Sequence, residues 1–301
     1  MNFDFLKSVS QKYGCELIEN APMSEYVTMR AGGIAAWLIK PNSSECIIET
    51  VCSCKENGVP YVVLGNGSNV IVCDEGLSSV VINISNQFGK IEVEDNIIKC
   101  QAGAPLSKVC QAALNNGLSG LEFAWGIPGT VGGALYMNAG AYGGEMKDIV
   151  VSCEYLDSDG EIKTIYAQDM DLSYRHSVFT DSSKVILTVT MELKIQEKEA
   201  IKALMDKNIL ARKTKQPLEY PSSGSTFKRP EGSYASLLIE QCGLKGLAVG
   251  GAQVSTKHSG FVINTGGATC SDIEKLIEKI KDIVEEKTGF KLECEVKFFR
   301  D

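Results

Sequence analysis

The chain has 301 residues, of which 44% are hydrophobic, and a formal net charge of −8. This length exceeds a typical single core and predicts two or three domains. The acidic excess argues against a nucleic-acid partner. Eleven scattered cysteines and two histidines lack the paired spacing of a zinc site, so no metal is expected. The first residues have no apolar core flanked by basic residues, so we expect neither a secretion signal nor membrane insertion.

The first two thirds of the chain predict alternating short helices and strands. Residues 44–58 have apolar side chains at helical spacing and end on Gly58. The patterns that follow predict, in chain order, strands at 59–65, 69–76 and 78–84, a strand pair at 89–103, a helix at 106–117, a strand pair at 149–167 and a strand at 185–195.

The last third predicts two long helices and a final strand. Residues 197–215 form a charged helix with a basic end, as the helix dipole prefers. A second helix at 271–289 begins with a Ser-Asp cap and stops on Gly289. In the tail, 290–299, apolar and charged residues alternate. The chain has no regular βαβ repeat, so the predicted fold class is α+β.

The segment from Phe123 to Gly144 has seven glycines and no charged side chain. Pro128, Asn138 and two glycine pairs argue against a membrane helix. Its aromatic and branched residues are core-forming, which argues against a flexible linker. Glycine lets backbone amides approach a ligand closely. The segment therefore predicts a backbone shaped around a large ligand, such as an apolar ring system or a polyphosphate.

Residues 65–69, Gly-Asn-Gly-Ser-Asn, lie between two predicted strands. Consecutive amides in such a turn can form an anion-binding concavity. An ordinary hairpin turn is the alternative interpretation. The dinucleotide fingerprint G-x-G-x-x-G is not met, because Val70 stands at its last position, and no P-loop occurs in the chain.

Five motifs in a fixed order carry a family resemblance. They are residues 65–69, the stretch 120–145, Ser-Tyr-Arg-His-Ser-Val-Phe at 173–179, Pro-Ser-Ser-Gly-Ser-Thr-Phe-Lys-Arg-Pro at 221–230, and Leu-Glu-Cys-Glu-Val at 292–296. Together they resemble UDP-N-acetylenolpyruvoylglucosamine reductases over the chain from about residue 20 to its end. Only a short turn follows Phe179, which resembles the shorter subclass without a tyrosine loop insertion.

The resemblance implies an FAD-binding fold of the vanillyl-alcohol-oxidase type in two subdomains, followed by a C-terminal α+β substrate domain. The expected domains are 1–80, 81–200 and 201–301, and the last strand either stays with the substrate domain or returns to the FAD-binding part. The resemblance, together with the two glycine-rich segments, assigns FAD to Gly65, Asn66, Gly67, Ser68, Asn69, Ile127, Pro128, Gly129, Thr130, Met137, Asn138, Gly140, Ala141 and Gly144.

The reaction that the resemblance implies is reduction of the enolpyruvyl ether of UDP-N-acetylglucosamine enolpyruvate to UDP-N-acetylmuramate, in the bacterial cytoplasm. NADPH would supply a hydride that passes through FAD N5. Arg175 would stabilise the charge that develops on the substrate carboxylate, and Ser225 would protonate the intermediate at carbon. Glu295 resembles the third active-site residue, which helps to stabilise the intermediate.

Several alternatives stay open at this level. An arginine such as Arg175 can simply pair with a surface acid, and a serine after glycine, such as Ser225, is most often a turn or helix-cap residue. Strand parity places Glu293 on the same face as Glu295, and only the family pattern selects Glu295. Tyr174, Lys215 and Arg229 are expected to bind the UDP-sugar, and the two cations suit its diphosphate.

Two other functions compete with the reductase. One is an oxidase or dehydrogenase of the same flavin fold with another small substrate. The other is a flavin-fold protein that has lost catalysis and only binds a nucleotide or a partner. The joint presence of Arg175, Ser225 and Glu295 argues for the reductase over both.

Overall fold

The computed structural model describes residues 3–301, and the chain divides into two compact units. Unit 1 contains the chain up to Ile18 together with Leu38–Asn66 and Val80–Arg212. Unit 2 contains Glu19–Trp37, Gly67–Ser79 and Lys213–Asp301. The division into domains 1–80, 81–200 and 201–301 stays a prediction.

The described residues form seven α-helices, and all four helices predicted from sequence are among them. The helices are α1 (Asp4–Tyr13), α2 (Ser44–Glu56), α3 (Leu106–Asn115), α4 (Val131–Tyr136), α5 (Lys198–Lys215), α6 (Ala235–Gln241) and α7 (Cys270–Thr288).

The predicted strands are also present, apart from the first half of the tail. In chain order the strands are β1 (Glu16–Pro22), β2 (Ile34–Lys40), β3 (Tyr61–Leu64), β4 (Val70–Val72), β5 (Leu77–Asn83), β6 (Ile91–Glu94), β7 (Ile97–Gln101), β8 (Leu118–Ser119), β9 (Gly140–Ala141), β10 (Gly144–Glu145), β11 (Val150–Leu156), β12 (Ile162–Tyr166), β13 (Val185–Glu192), β14 (Lys194–Ile195), β15 (Ala248–Val249), β16 (Ala252–Val254), β17 (Val262–Asn264) and β18 (Lys297–Phe299).

Unit 1 is built around an antiparallel sheet with the strand order β12-β11-β13-β7-β6. Its register places Val189 of β13 opposite Cys153 of β11 on one side and opposite Cys100 of β7 on the other. All three side chains are buried. The β-branched run of β13 therefore forms the centre of the sheet, where such side chains pack well. Strand β3 pairs with β5 in parallel in the same unit, with Leu64 opposite Asn83.

Unit 2 has a core formed by one face of α7. Ile273, Leu276, Ile277, Ile280 and Val284 are buried at helical spacing. They belong to a buried cluster that also contains residues of α6, β16 and β17. Unit 2 also contains the sheet β15-β16-β17 and the parallel pair β18-β4.

The sequence misplaced the start of α7. The helix begins at Cys270, and its N-cap is Thr269, not the Ser-Asp pair. The Thr269 side chain accepts the Asp272 amide, and the Asp272 carboxylate accepts the Thr269 amide, which completes a capping box. The helix ends on Gly289 at φ 75°, the left-handed position that glycine favours.

The tail is not one continuous strand. Only Lys297–Phe299 forms a strand, and Cys294 forms an isolated bridge with Phe227. The predicted alternation still holds at Leu292, which is buried, and at Glu293, which is exposed. The backbone of the tail pairs with Phe227 at Cys294 and with β4 at Lys297–Phe299. The alternation of apolar and charged residues therefore runs across two separately paired segments and does not mark a single strand.

Among residues 3–301, no helix combines the length and apolar character needed to cross a membrane. All eleven cysteines are free thiols, and each is buried or half-buried. Burial raises the pKa of the Cys54, Cys100 and Cys110 thiols to about 12. These thiols are therefore protonated at neutral pH and act as small apolar core residues.

Candidate functional site

In unit 1 the structure brings the first part of the 65–69 turn together with the first half of the charge-free segment. The Asn66 side chain donates to the Pro128 carbonyl at 3.3 Å. A Cβ on Gly65 would lie 2.6 Å from the Thr130 Oγ1, so only glycine fits at this close approach. Two groups of residues that the sequence assigned to FAD are thus neighbours in one compact unit.

The charge-free segment folds as short elements joined by turns. Thr130 is the N-cap of α4 and accepts the amide of Gly133. Pro128, Gly133 and Gly143 are exposed, although half of the side chains between them are buried. The segment therefore presents uncharged backbone at a surface, which is the arrangement expected of a ligand-shaping wall.

The buried side chain of Asn83 fixes the start of the 65–69 turn. Asn83 is 5% exposed, and its side-chain amide donates to the Leu64 carbonyl at 3.1 Å and the Gly65 carbonyl at 2.7 Å. Sequence reasoning missed this residue. Its one signal was a polar side chain inside the β-branched run of β5.

Arg212 of α5 places a positive charge beside the charge-free segment, at Gly126. A Cβ on Gly126 would lie 2.8 Å from Ile209 Cδ1 and 3.2 Å from Arg212 Cδ. Burial lowers the pKa of the Arg212 guanidinium, and the nearby Tyr142 opposes that shift. An arginine nevertheless stays charged at neutral pH. No pattern in the sequence indicates this contact, because α5 is distant along the chain.

The remaining residues of the turn, Gly67 to Asn69, belong to unit 2. Gly67 has φ 60°, and a Cβ there would lie 2.2 Å from the Tyr26 carbonyl oxygen. Asn69 donates from its side chain to the Glu295 carbonyl at 3.2 Å, and its own carbonyl accepts the Lys297 amide at 3.0 Å. Asn69 is thus fixed beside the segment that contains Glu295.

Arg175 lies in a tight turn of unit 1. Ser173 and His176 exchange backbone hydrogen bonds of 3.2 and 3.1 Å, so Tyr174 and Arg175 form the tip. Arg175 has φ 56°, which is uncommon for a residue with a side chain. Its guanidinium lies 5.1 Å from the centroid of the Tyr174 ring, within cation–π range.

Ser225 and Glu295 lie on two paired segments of unit 2. The Glu295 amide donates to the Thr226 carbonyl at 2.8 Å, and the Lys228 amide donates to the Glu293 carbonyl at 2.9 Å. Ser225 is exposed, whereas Thr226 beside it is 1% exposed. The structure therefore brings these two predicted catalytic residues onto adjacent backbone.

Thr226 is a second residue that sequence reasoning missed. Its hydroxyl accepts the Val262 amide at 3.0 Å, and its own amide donates to the Gly260 carbonyl at 2.9 Å. Gly260 in turn donates its amide to His258 Nδ1 at 3.2 Å. Burial lowers the pKa of the His258 imidazole, so it is neutral and can accept this bond.

These contacts bear on two alternatives left open by the sequence. Ser225 precedes no helix, because α6 begins only at Ala235, so it is not a helix cap. Gly224 before it has φ 76°. Glu293 forms an ion pair with Lys228 at 3.2 Å with its own side chain 74% exposed. Glu295, in contrast, is half-buried in the segment paired with Thr226.

The residues assigned to the UDP-sugar are distributed over both units. Lys215 is the last residue of α5, and Tyr174 lies beside Arg175. The Arg229 guanidinium lies 4.7 Å from the centroid of the Tyr234 ring, a contact that the sequence did not predict. The residues described contain no group of three or more His, Cys, Asp or Glu side chains suited to a metal ion.

Two family models match the chain. The model of an FAD binding domain matches residues 35–166, and the model described as UDP-N-acetylenolpyruvoylglucosamine reductase, C-terminal domain, matches residues 216–299. The expected fold class is confirmed as an α+β chain with an FAD-binding fold followed by a C-terminal domain. The fold and these matches define an FAD-dependent oxidoreductase.

Full-length relatives specify the family. UDP-N-acetylenolpyruvoylglucosamine reductase of Clostridium perfringens (strain 13 / Type A) is 46% identical over 295 residues, which cover 98% of this chain and 97% of that protein. The enzyme of the same name from Clostridium novyi (strain NT) is 47% identical over 282 residues, 94% of this chain and 92% of that one. The chain belongs to the UDP-N-acetylenolpyruvoylglucosamine reductase family.

A solved structure agrees with this assignment. The crystal structure of UDP-N-acetylenolpyruvylglucosamine reductase from Thermus caldophilus superposes with a TM-score of 0.81 at 34% identity. The match covers 95% of this chain and 99% of that one. Both parts of the fold are therefore shared with a solved member of the family.

Proposed function

We propose that the chain catalyses NADPH-dependent reduction of the enolpyruvyl ether of UDP-N-acetylglucosamine enolpyruvate to UDP-N-acetylmuramate. The reaction would serve peptidoglycan precursor synthesis in the bacterial cytoplasm. The observation that carries this proposal is 46% identity to a reductase of that name over 98% of the chain. The presence of Arg175, Ser225 and Glu295 in the motifs of the family supports it.

The residues of unit 1 fit FAD. Close approach at Gly65 and exposed, uncharged backbone between Ile127 and Gly144 would suit a flat apolar ring and its linked phosphates. Bound FAD would carry a hydride from NADPH to the double bond of the substrate. The residues assigned to FAD from the sequence remain our proposal for its binding site.

Arg175 is proposed to bind the substrate carboxylate. Addition of a hydride to the terminal carbon of the double bond leaves negative charge that spreads onto this carboxylate. A guanidinium presents two parallel donors that match a carboxylate and become more favourable as its charge grows. The Tyr174 ring under the guanidinium supports its orientation.

Ser225 is proposed to give its proton to the substrate carbon that did not receive the hydride. One hydride and one proton then complete the reduction, and the serine oxygen regains a proton from solvent. Glu295, held on the paired segment, is proposed to stabilise the enol form of the intermediate. A serine hydroxyl is a weak acid, so this step depends on such neighbours.

Lys215 and Arg229 are proposed to contact the diphosphate of the UDP-sugar, and Tyr174 to contact the sugar part. Two cations suit a diphosphate because charge-assisted hydrogen bonds are the strongest polar contacts. The stack of Arg229 on Tyr234 restricts the arginine and supports this role.

The proposal is tested with purified protein in an anaerobic spectrophotometer. We expect bound flavin whose yellow absorbance is lost on addition of NADPH and returns on addition of UDP-N-acetylglucosamine enolpyruvate. Flavin that NADPH bleaches and the enolpyruvyl substrate leaves reduced would overturn the proposed substrate. Reduction by NADH at the same rate as by NADPH would overturn the proposed reductant.

A further inference from the structure

The turn that contains Arg175 is attached at both ends to the charge-free segment. At its start, the Ser173 carbonyl accepts the Asn138 side-chain amide at 2.9 Å. Just after its end, the Ser177 hydroxyl donates to the Tyr136 carbonyl at 2.8 Å. Both contacts lie within unit 1. The left-handed conformation of Arg175, at φ 56°, is strained for a residue with a side chain and persists only where its surroundings impose it.

Asn138 has no exposed surface and uses its side chain entirely within the protein. Its Oδ1 accepts the Lys147 amide at 2.9 Å, and a backbone amide can only donate. Its Nδ2 therefore faces the Glu145 carboxylate at 2.7 Å and the Ser173 carbonyl at 2.9 Å. Both N–H groups are used, so the side chain is committed to protein partners.

We propose that Asn138 is a positioning residue for Arg175. It fixes the Ser173–His176 turn through the Ser173 carbonyl, and so fixes the direction of the guanidinium at the turn's tip. This inference rests on the catalytic role proposed for Arg175. It assigns the Asn138 side chain to the arginine turn, while its backbone remains in the stretch proposed for FAD.

Substitution by aspartate isolates the hydrogen bond. Asn138→Asp keeps the shape of the side chain, and aspartate tolerates the φ of 40° found here. The new oxygen faces the Glu145 carboxylate and the Ser173 carbonyl. The two carboxyl groups can share one proton, but no proton is left for the Ser173 carbonyl, so that bond is lost. In Asn138→Asp/Glu145→Gln, the glutamine amide can donate to the aspartate carboxylate, the reverse of the wild-type direction, but the Ser173 carbonyl still has no donor from residue 138.

The experiment compares Asn138→Asp, Glu145→Gln and the double variant in the two half-reactions by stopped flow. We expect Asn138→Asp to slow flavin reoxidation by the enolpyruvyl substrate about 10- to 100-fold more than it slows flavin reduction by NADPH. The double variant should regain thermal stability and remain slow. Recovery of the rate together with stability would overturn the inference.

A cycle with Arg175→Lys tests the coupling. In the Arg175→Lys background, Asn138→Asp should have little further effect, because both changes disturb the same group. Asn208→Asp is the matched control: Asn208 is 6% exposed and donates to the Glu122 carbonyl at 3.0 Å in the same unit. Its effect should multiply with that of Arg175→Lys. If the effects of Asn138→Asp and Arg175→Lys on the rate of flavin reoxidation also multiply, the inference is overturned.

Hydrogen exchange separates this inference from the proposed function. Asn138→Asp should speed exchange of the peptide that contains the His176 amide about tenfold or more, and Asn208→Asp should not. If Asn138→Asp speeds exchange but Arg175→Lys leaves substrate reduction unchanged, the proposed catalytic role of Arg175 fails. The conclusion that Asn138 fixes the Ser173–His176 turn is then retained. Unchanged exchange at residues 173–177 in Asn138→Asp would overturn the conclusion that Asn138 fixes this turn.

Discussion

The two units hold their proposed catalytic residues by different means. In unit 1, Arg175 lies on a two-residue tip, and the attachments of its turn come from the side chains of Asn138 and Ser177. In unit 2, Ser225 and Glu295 lie on segments that are joined by backbone hydrogen bonds. A side-chain attachment depends on one residue type, whereas almost any sequence can supply a backbone amide.

This difference predicts where the protein tolerates change. The unit 1 turn should be sensitive to conservative substitutions at buried polar positions, because each removes a specific donor. In unit 2, the free energy of unfolding should change little with side-chain substitutions along the paired segments and should fall when an amide is lost. Three substitutions in unit 2 test the comparison, from the largest expected effect to the smallest.

Removal of the proposed proton donor should have the largest effect. Ser225→Ala should slow reoxidation of reduced flavin by the enolpyruvyl substrate about 10²–10⁴-fold, the usual contribution of general acid catalysis. Flavin reduction by NADPH should stay unchanged, as stopped-flow absorbance can show. Ser223→Ala, two residues away on the same loop at a buried serine, is the control. Equal losses in both half-reactions would make Ser225 a structural residue.

Loss of a paired amide should have an intermediate effect. Lys228→Pro removes the donor to the Glu293 carbonyl, and we expect a loss of about 1–3 kcal/mol in the free energy of unfolding. Lys228→Ala keeps the amide and removes only an exposed ion pair, which costs about 0–1 kcal/mol. Urea denaturation measures both. Equal losses would show that the side chain, not the backbone, joins the segments.

A side-chain attachment in unit 2 that does not involve the paired segments of Ser225 and Glu295 should affect stability alone. The Asp74 carboxylate accepts the Cys270 and Ser271 amides at 2.7 and 2.9 Å, at the start of α7. Desolvation raises the pKa of Asp74, but hydrogen bonds from Ser271 and Cys270 outweigh it and lower the pKa below its ordinary value. Asp74→Asn should cost about 0.5–1 kcal/mol at neutral pH.

The sign of the pH dependence follows from that lowered pKa. The stabilisation by Asp74 is present above its unfolded pKa, about 3.9, and is lost as pH falls through the lower folded value. The difference in unfolding free energy between wild type and Asp74→Asn should therefore be constant from about pH 6 to 8 and shrink below about pH 4. A difference that grows at low pH would contradict this account, and so would a change in either half-reaction.

Local patterns in the sequence were sufficient for most elements. The helices over 44–58 and 271–289 and the strand pairs over 89–103 and 149–167 were each specified by short-range periodicity and by turn residues. The start of α7 was misplaced because Thr269, Ser271 and Asp272 can all cap a helix, and only the position of the first turn decides among them. The tail was overextended because a period of two does not show where pairing changes partner.

The charge-free segment, its glycines and the five ordered motifs were visible in the sequence alone, and they determined the family and the cofactor. Only the tertiary structure showed that Asn138 and Thr226 are committed to hydrogen bonds beside the proposed catalytic residues. It also showed that Arg212 reaches the segment from α5. The physical reason is that composition and periodicity report which residues become buried, whereas a hydrogen-bond partner depends on parts of the chain brought together by folding.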